Sequence, residues 1–113
     1  MNNYQIDRQH WAQLSIYEQM GNIGAEVGRA INARRTGKLE RLDGAIARAL
    51  DLFRATTEQL AAEKSNRLKE VLRSRDEFLR LFYDDTFDSD ADAIERYFTL
   101  FAIAARKQNL RTD

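Results

Sequence analysis

The sequence predicts an all-α protein, an antiparallel up-and-down four-helix bundle with a short N-terminal arm or helical turn, and three observations predict it. The 113 residues include no proline, so no ring interrupts a helix from within. Ala, Leu, Glu, Arg and Gln, all strong helix formers, are abundant. Four stretches repeat apolar residues at spacings of three and four with short connections between them, as neighbouring antiparallel helices do.

The first long segment spans Ile16 to Thr36. Ser15 and Glu18 stand at the spacing of a capping box, and Ile16, Met20, Ile23, Val27, Ala30 and Ile31 draw one apolar stripe. Arg34 and Arg35 complement the dipole of the last turn, and Gly37 sits where a left-handed cap belongs. Ahead of it, Asp7 caps a turn carrying Trp11 and Leu14, whose indole is expected to cover the open end of the bundle. The second segment, Lys38 to Thr56, puts Leu39, Leu42, Ile46, Ala49, Leu50 and Phe53 on one face. Thr56 to Lys64 reads as a polar connection, with Leu60, Ala61 and Ala62 either extending the helix or forming an extra turn. The third segment starts at a Ser65 or Asn66 cap and carries Leu68, Val71, Leu72, Phe78, Leu79 and Phe82 to Tyr83. Asp84 to Asp90 reads as a loop pinned by Phe87. The fourth segment, Ala91 to Gln108, turns Ile94, Tyr97, Phe98, Phe101, Ala104 and Ala105 inward. One domain covers 1–113, with disordered tails at 1–6 and 109–113.

Composition excludes several chemistries. The absence of cysteine removes disulfides, thiolate metal sites and cysteine nucleophiles, and fits a reducing compartment. No stretch approaches the roughly 18 apolar residues of a membrane span, so a soluble cytoplasmic protein without a membrane partner is expected. Lys and Arg number 18, and so do Asp and Glu, which argues against a binder of polyanions by bulk charge. His10 is the one histidine, and no Glu-x-x-His pair exists, so the chain lacks the ligands of a di-iron bundle. A triad of Ser15, His10 and Asp7 on an exposed arm offers no oxyanion hole. Asp88-x-Asp90-x-Asp92 has the opening of a calcium loop, but Ala93 and Thr99 stand where its glycine and bidentate glutamate belong. These aspartates fit better as caps of the fourth helix, with weak cation binding or a basic partner as the alternatives. No catalytic residue, cofactor or metal is expected.

Two features point outward. Gly21, Gly24 and Gly28 lie inside a helix, where each costs roughly 1 kcal/mol relative to alanine. With Ala25 beside them they clear a strip for close helix contact, either within the monomer against the aromatics of the fourth segment or between subunits. A nucleotide loop is excluded, because Gly-x-Gly-x-x-Gly needs a strand before it. Basic residues gather as Arg34, Arg35, Lys38 and Arg41 at the first hairpin tip, and as Arg67, Lys69, Arg73 and Arg75 on the third segment. Glu40, Asp43, Glu70 and Asp76 stand close enough in sequence to neutralise them; otherwise they form a phosphate-contacting surface.

Trp11-x-x-Leu14-Ser15, Gln19-Met20-x-Asn22-Ile23-Gly24-x-Glu26-Val27-x-Arg29-Ala30, Ala47-x-Ala49-Leu50-Asp51-Leu52 and Tyr97-Phe98-x-x-Phe101-x-Ile103-Ala104-Ala105-Arg106 together resemble a family of small prokaryotic all-helical proteins. That resemblance spans nearly the whole chain and implies the fold, with no activity attached. In size and helix layout the chain is also similar to four-helix-bundle proteins such as ribosomal-RNA intervening-sequence proteins and the accessory protein of diversity-generating retroelements. The latter likeness implies a ring-like homo-oligomer that binds a reverse transcriptase and its RNA, although that protein is strongly basic and this one neutral. Fold likeness is a weak warrant for function.

The function expected is therefore a non-enzymatic, homo-oligomeric accessory or scaffold protein with an unidentified protein partner in a larger assembly. One alternative is a nucleic-acid or ribonucleoprotein accessory using Arg34, Arg35, Lys38 and Arg41. Another is a small-ligand binder with a pocket under Trp11.

Overall fold

A computed structural model describes residues 6–111. The chain folds as a short α1 (Arg8–Gln13) and four long helices, α2 (Ile16–Arg35), α3 (Leu39–Ala62), α4 (Leu68–Tyr83) and α5 (Phe87–Arg111). Local chemistry sets most of their ends. Asp7 accepts the His10 amide at 3.1 Å and opens α1. The Ser15 hydroxyl accepts the Glu18 amide at 3.1 Å, and the Ser15 amide donates to the Glu18 carboxylate at 2.9 Å, so the capping box forms as the sequence predicts. Helix α2 ends in a Schellman motif: the Lys38 amide reaches the Ala33 carbonyl at 2.9 Å and the Gly37 amide the Arg34 carbonyl at 3.3 Å. Gly37 occupies the left-handed position at φ +71°, which explains why glycine stands there.

The four long helices pack antiparallel. Helix α2 packs most extensively on α3 and α5, and α4 closes the ring more loosely against both. Glycine and alanine let α2 and α5 approach, whereas bulky rings hold α4 away. Phe53, Phe78 and Phe98, from α3, α4 and α5, are buried with ring centroids 6.1 and 6.2 Å apart around Phe53, inside the range of favourable aromatic pairs. Phe82 meets Phe87, which is buried against the core as expected but as the first residue of α5 and not within a loop. The 25 residues of α5, about 37 Å long at a helical rise, set most of the molecule's 41 Å length.

Several boundaries differ from the sequence reading. Helix α3 continues past Thr56 to Ala62, burying Leu60, so Thr56 and Thr57 are helical rather than connecting. Its end is also a Schellman motif, but Lys64, at φ 55°, takes the left-handed position, and the expected glycine signal is missing. Neither Ser65 nor Asn66 is the N-cap of α4. Arg67 holds that place, while the Ser65 hydroxyl accepts the Arg67 amide at 3.1 Å. Helix α5 begins at Phe87, which shortens the acidic loop, and it runs past Gln108 to Arg111. The tail expectation fails at Ile6, which packs against the core, and at 109–111, which are helical. The rest of those tails, 1–5 and 112–113, lies outside the described residues.

Most expected core positions are buried, with corrections in three helices. Leu39 is 69 % exposed, because α3 begins there beyond the packed part of the bundle. Ser74 and Leu81 join Val71 and Phe78 in the α4 stripe, so the stripe continues past Arg75. Ser74 satisfies its hydroxyl locally by donating to the Val71 carbonyl at 2.8 Å. Helix α1 packs on α3, and Trp11 reaches Thr56 short of that helix's end, so the indole seals the α2–α3 side instead of covering the open end.

Candidate functional site

The residues singled out by sequence fall in four places. The first is the α2–α5 contact. A Cβ on Gly24 would lie 2.7 Å from the Phe98 Cβ, and one on Gly21 would lie 3.2 Å from the Ala102 Cα. Close packing inside one chain thus accounts for both glycines. Gly28 would meet nothing nearer than a Glu95 carboxylate oxygen at 3.5 Å, and Ala25 is exposed on another side of α2. The glycine strip is therefore spent mainly on the fold, and it no longer argues by itself for contact between subunits.

The second place is the basic hairpin tip, which the structure splits in two. Arg35 bonds Asp92 at 2.6 Å and lies 3.7 Å from Glu95, both on α5, and the Arg34 guanidinium sits 4.8 Å from the centre of the Phe87 ring. The acidic start of α5 thus meets the tip within the chain, across the bundle and not through Glu40 or Asp43. These groups are well exposed, so the pairing contributes little stability, but it offsets the charge of one of the four cations, Arg35. The same helix disposes of the calcium-loop pattern. Asp88, Asp90 and Asp92 are alternate positions of α5, so Asp90 projects to the other side of the helix from Asp88 and Asp92 and the three do not converge. Among the described residues no group of three or more His, Asp or Glu side chains is placed to hold a metal ion.

Lys38 and Arg41 instead line a groove of about 310 Å³ between α2 and α3, where Arg29 and Arg48 join them. The sequence reading missed Arg29 and Arg48, because they stand on different helices and only the antiparallel hairpin brings them together. Beneath them lies Glu26, 6 % exposed, which accepts from Arg29 at 2.7 Å and from Arg48 at 2.8 Å. A carboxylate this buried needs such partners. Gly44 has its explanation here as well, since a Cβ would come within 3.1 Å of the Arg48 guanidinium. Among the described residues Lys38 and Arg41 make no ion pair.

The third place surrounds Trp11. Its indole N–H donates to the Thr56 hydroxyl at 2.9 Å, which donates to the Gln19 side-chain oxygen at 2.9 Å. The Gln19 amide nitrogen donates to the carbonyls of Trp11 at 2.9 Å and Leu14 at 3.4 Å, and to Gln59 at 3.1 Å. These acceptors fix which end of the amide is nitrogen. The network, all but invisible in sequence, ties α1 to α2 and α3. An open depression of about 380 Å³ lies beside Trp11, lined in part by His10, Asn22, Ala25 and Glu26. Of the residues weighed as a triad, Asp7 and Ser15 are helix caps and His10 is exposed.

The fourth place is the outer face of α5, where Leu100 is 63 %, Ile103 39 % and Leu110 77 % exposed. Their spacings of three and seven put them on one side of the helix, a signal present in the sequence and hidden by the inward stripe of the same segment. One turn back along α5 from Leu100, Tyr97 donates its hydroxyl to Glu70 at 2.8 Å. Burial first, and then this bond and the Glu70 charge, push the phenol well above its ordinary value of 10.0. The fold therefore favours the protonated form, and that stability is complete below pH 10 and is lost as pH climbs above it. The melting temperature of the wild type is expected to fall more steeply above about pH 10 than that of Tyr97→Phe. Parallel curves for the two proteins in thermal melts would remove Tyr97 as the cause.

Among the described residues no helix is long and apolar enough to cross a membrane. No family model, no curated protein and no solved structure matches this chain.

Proposed function

We propose that this chain is a non-enzymatic helical-bundle accessory protein that self-associates and serves as a scaffold in a larger assembly. The observation that carries the reading is the apolar outer face of α5, formed by Leu100, Ile103 and Leu110. Single exposed leucines are ordinary, but three aligned on one helix face mark a surface that gains from being covered. A second copy of the chain suits it by charge. The first half of α5 carries Asp88, Asp90, Asp92 and Glu95 against Arg96, while the second half carries Arg106 and Lys107 and no acid. A two-fold antiparallel pairing of α5 helices about an axis between Leu100 and Ile103 sets Leu100 of each copy against Ile103 of the other and runs the acidic half of each toward the basic half of its partner. The non-enzymatic part is supported by the roles of Asp7 and Ser15, whose side chains cap helices.

Light scattering on the gel-filtered protein at micromolar concentration tests this. The wild type is expected to show a multiple of its 13.1 kDa mass, and Leu100→Glu to return it to a monomer that keeps the helical circular-dichroism spectrum, because the position is exposed within one chain. A monomeric wild type, or an oligomer indifferent to Leu100→Glu and Ile103→Glu, refutes the assignment.

A further inference from the structure

The groove between α2 and α3 has no part in self-association through α5, and its chemistry calls for a ligand of its own. Four cations, Arg29, Lys38, Arg41 and Arg48, stand around about 310 Å³ of open space with Glu40 as the one acid of the lining, and Glu26, on the neighbouring depression beside Trp11, pairs with Arg29 and Arg48. The chain as a whole has a net charge of zero, so this excess is a local arrangement and not a bulk property. A contrast lies on the outer face of α4, where Lys69, Arg73 and Arg80 share a shallow surface with Asp76 and Glu77 that offsets most of their charge.

We infer that the α2–α3 groove binds a phosphoryl group, carried by a nucleic-acid backbone or by a small phosphorylated molecule. The buried Glu26 carboxylate holds Arg29 through one terminal nitrogen and Arg48 through Nε, so both guanidiniums are positioned before any ligand arrives. A guanidinium has five N–H donors, and each arginine keeps donors beyond those used on Glu26. Planar, pre-positioned forks of this kind suit the several oxygens of a phosphate, and their fixed placement lowers the ordering cost of binding. Lys38 and Arg41, without acidic partners among the described residues, supply the remaining charge for a dianion. The space is of the size that small-ligand sites occupy.

The test is a nuclear magnetic resonance titration of the full chain at constant ionic strength, with inorganic phosphate as the first probe. Saturable shifts are expected at the Arg29 and Arg48 Nε–H groups and at the backbone amides from Asn32 to Arg41. The double variant Lys38→Glu, Arg41→Glu is expected to weaken binding by about tenfold or more while melting like the wild type, since both side chains are exposed. Should that variant fail to fold, the wild-type shift map decides alone. Absent shifts, shifts spread equally over Lys69, Arg73 and Arg80, or binding unaffected in the folded double variant overturn the proposal. Adenosine monophosphate and a short oligouridylate then separate the two sources. Tighter binding of the oligomer with a steep salt dependence assigns the phosphate to a nucleic acid, and equal or tighter binding of the mononucleotide assigns it to a small molecule.

Discussion

Gly24→Ala is expected to lower the melting temperature by about 8 °C, while Gly28→Ala, one turn further along the same helix, raises it by about 3 °C. Alanine gains roughly 1 kcal/mol over glycine inside a helix, and that gain is common to both sites. The difference lies across the interface. At Gly24 the new methyl would stand 2.7 Å from the Cβ of Phe98, the part of that side chain least able to move. Phe98 is 2 % exposed and its ring is held between Phe53 and Tyr97, so α5 itself must retreat. Overpacking of this kind costs typically 1–3 kcal/mol, and here the upper end applies, for a net loss of about 2 kcal/mol. At Gly28 the nearest atom is a carboxylate oxygen at 3.5 Å on a flexible side chain, and the propensity gain survives. Gly21→Ala, facing the Ala102 Cα at 3.2 Å, is expected to fall between them. Equal melting temperatures for the Gly24 and Gly28 variants in calorimetry would mean that α2 and α5 are not in close contact at Gly24.

Thr56→Val is expected to cost about 3 kcal/mol and to loosen α1 more than the rest of the bundle. Valine keeps the shape of threonine and deletes the hydroxyl that accepts from Trp11 and donates to Gln19. Two buried groups then lose their partners, the indole N–H and the Gln19 oxygen, at about 1–3 kcal/mol each. Gln19 cannot compensate by turning its amide over, because its nitrogen already serves Trp11, Leu14 and Gln59. Two polar ties between α1 and the bundle remain, the Gln19 amide on the Trp11 carbonyl at 2.9 Å and the exposed Arg8–Glu58 ion pair at 2.8 Å, and neither holds the indole N–H. Trp11 is the single tryptophan, so its fluorescence reports the change directly. The emission is expected to shift to the red in Thr56→Val, with faster hydrogen exchange across Arg8–Gln13, and to stay near wild type in Thr56→Ser, which retains the hydroxyl. Unchanged emission in Thr56→Val would show that apolar packing alone seats the indole.

The four long helices were legible because their signals are local. Ser15 and Glu18 cap within one turn, Gly37 marks its left-handed position, and apolar residues three and four apart share a face whatever the neighbouring helices do. Where a local signal is absent, the helix boundary is not legible in the sequence. Lys64 holds a left-handed position that composition assigns to glycine, so the sequence leaves Leu60, Ala61 and Ala62 open between an extension of α3 and an extra turn. Asp88 and Asp90 read as loop residues, although they lie in the first turns of α5, where acids interact with the positive end of the dipole.

By itself the sequence determined the helical class, the number and order of the long helices, and most of the inward stripes, since periodicity and capping depend on residues within a turn or two of one another. Tertiary structure decided everything that depends on which helices become neighbours. It placed Gly21 and Gly24 under α5, turned Arg35 toward Asp92, and gathered Arg29, Lys38, Arg41 and Arg48 around one groove, two of them held by the buried Glu26. It also joined Trp11, Gln19 and Thr56 in one buried network and left Leu100, Ile103 and Leu110 uncovered. Contacts between residues far apart in the chain follow from the angle and spacing at which helices pack, and no local pattern encodes these.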